Sequence, residues 1–206
     1  MVKSMGKINL SAWKEKIVTI GFVAINIFLF IASVFSGDLL YNEGAFSLWH
    51  LLQDGQWWRF ITSMFLHADA DHLAGNMLML YMAGELVEKY IGNRRFAALY
   101  FFSGINGSLL YAAYEFSTGR YANSIGASGA VFGVIGALLV IVIYNRGRYA
   151  DITLGRMGFM IVYMIYMGLR TSNVNNAAHI GGLLGGIILT GFYVLIGNRK
   201  GGRRYR

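Results

Sequence analysis

The chain has 206 residues, is 56% hydrophobic and only 14% charged, and carries a net charge of +8. Charged residues run near ~25% in ordinary soluble domains, so this composition excludes one. With no cysteine it has no disulfide, thiolate metal site or cysteine nucleophile, and with no proline its helix irregularities must come from Gly, Ser or Asn. The apolar residues come in blocks near the ~20 residues that cross a bilayer. The basic residues sit between these blocks. Lys3, Lys7, Lys14 and Lys16 precede the first; Lys89, Arg94 and Arg95 lie between the second and third; Arg146, Arg148 and Arg156 lie between the fourth and fifth; Arg199, Lys200, Arg203, Arg204 and Arg206 close the chain. Such alternation is the positive-inside pattern of a protein with both termini cytoplasmic. It forms no single patch, which argues against nucleic acid as a partner.

In chain order, residues 1–16 form a basic tail and the six-helix membrane region runs over 17–197, followed by a second basic tail at 198–206. The first span covers about 17–35; its apolar core is longer than that of a cleaved leader, so a retained helix is expected. Asn26, polar in mid-span, is expected to face another helix. Residues 36–68 are too polar to span yet rich in aromatics, which predicts an interfacial loop anchored by Trp57 and Trp58. Arg59 would there meet headgroups or loop carbonyls. The second span, about 71–87, opens with His67, Asp69, Asp71 and His72, and places His72 and Asn76 on one helix face, four residues apart. Glu85 and Glu88 fall at its far end beside Lys89, where they would be solvated or paired. The third span covers about 96–114. A loop from Glu115 leads to Gly126, Ala127, Ser128 and Gly129, where a fourth span of about 128–144 begins. That span is short, which places Ser128 below the outer surface, after a loop that dips into the membrane. The fifth covers about 152–169. The sixth, about 177–196, opens with Asn175, Asn176 and His179.

Topology joins these residues. Spans two, four and six run in the same direction, and each carries its unusual polar group near its start. His72 and Asn76, Ser128, and His179 therefore share one depth near the outer face. Strongly polar groups within a membrane are costly and usually face a cavity or the bundle interior. Taken alone, the glycine-flanked Ser128 reads as packing and His179 as a structural histidine. Gly126, Gly129, Gly133 and Gly136 of span four, and Gly181, Gly182, Gly185 and Gly186 of span six, would bring the two helices close and set His179 beside Ser128. Ser128 is then a candidate nucleophile with His179 as its base. Asn76, His72 and the Ser128 N–H could supply an oxyanion site, with hydrogen bonds across helices as the equal alternative for His72 and Asn76 each taken alone. A metalloprotease would need His-Glu-x-x-His, which does not occur, and the His67–His72 cluster reads as a solvated cap rather than a metal site. No cofactor is expected.

Trp58-Arg59, then His67, His72 and Asn76, then Gly126-Ala127-Ser128-Gly129, then Ala178-His179 with Gly182 and Gly186, stand in an order that resembles the rhomboid intramembrane serine proteases across nearly the whole chain. The resemblance implies an all-α bundle of six transmembrane helices and a Ser128–His179 dyad without an acidic third member. It also implies an oxyanion site at Ser128, Asn76 and His72, with Gly126 nearby, and structural roles for His67 and Glu88. One departure is Phe132, where some bacterial members carry a tyrosine stacked on the catalytic histidine. The implied substrate is a single-span membrane protein cut in or near its outer segment; small size and bare termini make a bacterial cytoplasmic membrane the expected location. Two competitors are a non-catalytic rhomboid-like protein that binds membrane clients, and a small channel or transporter. The first would lack Ser128 or His179. The second would show paired repeats and broken helices at the midplane.

Overall fold

The computed structural model describes residues 15–170 and 174–199; most of the two expected basic tails lies outside these residues. Six helices of 17 to 26 residues coincide with the six expected spans: α1 (Ile17–Ser36), α5 (Ala70–Ile91), α6 (Asn93–Thr118), α7 (Ser128–Tyr144), α8 (Leu154–Arg170) and α9 (Asn176–Arg199). Among the described residues, α1, α6 and α9 are long and apolar enough to cross a membrane by length and composition, whereas α5 is more polar and α7 is a shorter apolar helix. The outward surface is apolar, with Phe28, Phe35, Leu78, Met82, Phe116, Phe159, Val162 and Leu195 all exposed. So many exposed large apolar side chains suit lipid rather than water. The architecture is an all-α membrane bundle.

The helix ends follow local chemistry. Asp69 caps α5, its carboxylate accepting the His72 N–H at 2.7 Å. That accounts for one acidic residue of the His67–His72 cluster as a helix cap. Gly92, at φ +86, turns α5 directly into α6 in a conformation that disfavours side chains. The segment expected as an interfacial loop at 36–68 instead folds into short helices: α2 (Leu39–Gly44), α3 (Leu48–Asp54), α4 (Arg59–Thr62) and a 3₁₀ turn at Ser63–Phe65. Arg59 is 2% exposed and donates to the carbonyls of Asn42 and Ala45, both at 2.8 Å, which selects carbonyls over headgroups. Trp57 and Trp58 remain exposed. On the opposite side of the bundle a small hairpin pairs β1 (Arg148–Tyr149) with β2 (Ile152–Thr153), Tyr149 packing edge-on against Tyr90.

The core centres on α7, buried along most of its length, with Val134, Ile135 and Ile141 fully enclosed. Phe22 of α1, Leu80 and Val87 of α5, and Phe96, Leu99 and Tyr100 of α6 complete it. Helices α6, α7 and α9 meet through small residues. A Cβ on Gly182 would run into the Gly129 carbonyl, and one on Gly186 into the Gly133 carbonyl. Gly107 of α6 lies against Ala178 and Gly129 in the same seam. Backbone contact of this kind is what glycines at three- and four-residue spacing permit. By contrast α8 is peripheral, with only Met157 and Gly168 buried.

Glu88 corrects one local expectation. It is fully buried rather than solvated beside Lys89, and its carboxylate accepts from Val18 N–H, Thr19 N–H and the Thr19 hydroxyl at 2.7–2.9 Å. It therefore satisfies amides in the first turn of α1, which has no side-chain cap of its own. Glu85 pairs with Lys16 and Lys89 with Glu15 instead. Asn26 is also buried, its amide donating to the Phe22 carbonyl of its own helix at 2.8 Å. Replacing Glu88 with alanine strands those buried donors. It is expected to cost about 2–5 kcal/mol, read as lost resistance to thermal unfolding in detergent.

Candidate active site

Ser128 is the first residue of α7, so its side chain stands where the loop enters the bundle. His179 lies in the first turn of α9. The seam of glycines draws the two helix starts together, and His179 Nε2 lies 2.9 Å from Ser128 Oγ. Phe132, one turn below Ser128, stacks on the imidazole with centroids 4.2 Å apart and planes inclined by 11°. Stacking fixes the ring plane, while Nδ1 of His179 is buried and has no hydrogen-bond partner among the described residues.

The loop before Ser128 is held at Gly126, whose N–H donates to the Ser63 carbonyl at 2.9 Å. Gly126 has φ +129, and a Cβ there would lie 2.8 Å from Cε1 and 3.0 Å from Nε2 of His72. The His72 ring thus borders the loop beside Ser128. His67 is 5% exposed and packs edge-on against it, centroids 5.1 Å apart. Burial, and then the neighbouring His72, push the His67 pKa down to about 4, so its ring is neutral at ordinary pH. Asn76 is buried one turn below His72 and donates to the His72 carbonyl at 2.9 Å, leaving its second N–H free of that bond. Gly126→Ala combines an unfavourable φ with a clash against His72. It is expected to lower labelling by a fluorophosphonate, a probe of activated serines, by about tenfold or more, since such backbone strain costs on the order of 1–3 kcal/mol.

Three polar residues around the site were not singled out by sequence reasoning. Glu115, in the last turn of α6, is fully buried and accepts the N–H of Leu48 and of Ala122, each at 2.6 Å. Ser124 pairs with Phe46 through two backbone hydrogen bonds, and its hydroxyl accepts from Asn175. The available signal for Glu115 was an acidic residue closing an apolar run with no basic residue within one turn before it. A buried carboxylate in that setting must find amides.

The sequence pattern of the Rhomboid domain matches residues 54–196. Rhomboid protease GluP of Bacillus subtilis is 36% identical over 169 residues, covering 80% of this chain and 32% of that protein. RHOMBOID-like protein 5 of Arabidopsis thaliana is 35% identical over 147 residues, 71% of this chain and 47% of that protein. Rhomboid protease AarA of Providencia stuartii is 31% identical over 223 aligned positions, 95% of this chain and 78% of that protein. The chain thus spans a third to a half of the first two relatives and most of the third. The matched region runs from Asp54, the last residue of α3, to Ile196 in the last turn of α9 and contains every candidate site residue from Trp58 to Gly186; the chain belongs to the rhomboid family.

Proposed function

We propose that this rhomboid is an intramembrane serine endopeptidase in which Ser128 and His179 form a catalytic dyad. The observation that carries the reading is the 2.9 Å contact between Ser128 Oγ and His179 Nε2 at two adjoining helix starts. The protease names of relatives such as GluP and AarA support it. Ser128 Oγ attacks the scissile carbonyl carbon as Nε2 accepts its proton. The developing oxyanion meets the Ser128 N–H, one of the α7 amides that helix geometry leaves without an intrahelical acceptor, at the positive end of the helix dipole. His72 and the second N–H of Asn76 supply further donors. The C–N bond then breaks, Nε2 returns its proton to the departing amine, and an acyl group remains on Ser128. Water adds to that ester by the same route and frees the serine. Phe132 and the glycine seam hold the imidazole in place, and among the described residues no carboxylate bonds its Nδ1.

The substrate is a single-span membrane protein whose helix unwinds locally, since a helix hides its amide bonds from attack. The alternation of basic residues supports cytoplasmic termini and a dyad near the outer face. Reconstitution into liposomes with a single-span reporter tests the reading. Wild type should cut the reporter near its outer end and Ser128→Ala should not. Equal cutting by both would overturn it, and intact reporter bound by both would favour a client-binding role.

A further inference from the structure

Two connections meet at Ser124, four residues before Ser128. Its N–H and C=O exchange hydrogen bonds with Phe46 at 2.7 and 2.9 Å, an isolated antiparallel bridge to the interfacial segment. Its hydroxyl accepts from Asn175 Nδ2 at 2.8 Å. Asn175 stands at the entrance to α9. Its Oδ1 accepts the Ala178 N–H at 2.9 Å, and its carbonyl accepts the His179 N–H at 3.1 Å. A single amide side chain thus caps the helix that carries His179 and grips the loop that carries Ser128.

The glycine seam explains why such a grip is needed. Glycine faces let two helix axes come close, but they present few side-chain knobs to stop one helix sliding along the other. The Ser128–His179 contact is sensitive to sliding, because a 1 Å misplacement of reacting groups costs on the order of a hundredfold in rate. The Asn175–Ser124 hydrogen bond lies across the open end of the seam. The Phe46 bridge, with Glu115 holding the neighbouring Ala122 N–H, keeps the Ser124 end still.

We infer that Ser124 and Asn175 are positioning residues that set the axial register of Ser128 against His179. The inference rests on the proposed nucleophilic role of Ser128. Neither residue touches the reacting atoms, so its contribution acts on rate through geometry.

Saturation kinetics of fluorophosphonate labelling, with thermal unfolding of the same preparations, tests this on the full-length protein. Ser124→Ala removes the acceptor and leaves the α9 cap intact. It should lower the maximal labelling rate constant about three- to tenfold, the range expected for one net hydrogen bond. The half-saturating probe concentration and the unfolding temperature should stay as in wild type. Ser124→Thr, which keeps the hydroxyl, should restore the rate to within about twofold. Asn175→Ala removes grip and cap together and should lower both rate and stability. A wild-type rate constant in Ser124→Ala, or a loss that Ser124→Thr shares equally, would overturn the tether. Failure of folded wild type to label at all would overturn the underlying nucleophile assignment instead.

Discussion

Ser128→Ala and His179→Ala are each expected to lower hydrolysis of a single-span reporter by at least about a thousandfold, with the double variant no worse than either alone. A serine hydroxyl is a poor nucleophile without a base to take its proton, and a base without the hydroxyl has nothing to activate. Groups that act as one unit fail as one unit. Among the described residues, the one hydrogen bond joining the two helix starts through these side chains is the 2.9 Å contact, so either truncation abolishes it. Both variants should remain folded, because α7 and α9 are held by the glycine seam below. Initial cleavage rates in liposomes, with unfolding temperatures measured beside them, check the prediction. Multiplicative losses in the double variant would mean that the two residues act independently.

The seam carries the second large effect. Gly182→Ala places a methyl group against the Gly129 carbonyl, and Gly186→Ala does the same at Gly133. No rotamer relieves a clash between a Cβ and a backbone oxygen, so the helices must part. Overpacking in a rigid core costs about 1–3 kcal/mol or more, and a contact with backbone belongs at the upper end. Separation also withdraws His179 from Ser128, adding a rate loss on the order of a hundredfold. Gly191→Ala on the same helix is the control. Nothing lies within 4 Å of a Cβ there, so it should be neutral, or stabilised by up to about 1 kcal/mol through helix propensity. Thermal unfolding of the three variants, with cleavage rates, separates the cases; equal behaviour of Gly182→Ala and Gly191→Ala would dismiss the seam.

What could be read from the sequence follows from the range of each interaction. The six helices were legible because apolar length and charge alternation are local patterns, and the second span expected at 71–87 emerges as Ala70–Ile91. Proximity of Ser128 and His179 was legible because the parity of the spans gave a common depth and the glycines gave a common seam. The short helices of the interfacial segment were not, since aromatics suited to an interface carry no clear helical period. Nor were the backbone partners of the buried charges, apart from loop carbonyls as one of the two alternatives expected for Arg59. Arg59 reaches back 14 and 17 residues to carbonyls, Glu88 reaches 69 and 70 residues to the start of α1, and Glu115 joins the first residue of α3 to the loop before α7. A hydrogen bond to a distant backbone group leaves no pattern in side-chain order. Glu88 shows the consequence: local reading put it beside Lys89, and the demand of uncapped α1 amides placed it in the core instead.

The account turns on whether Ser128 carries a nucleophilic oxygen activated by His179. The most direct measurement is fluorophosphonate labelling of purified protein, followed by mass-spectrometric location of the phosphonylated residue in wild type and in His179→Ala. The account predicts modification of Ser128 alone in wild type and a loss of at least about a hundredfold in its rate without the histidine. Modification at another residue, or equal labelling of Ser128 in both proteins, would contradict it.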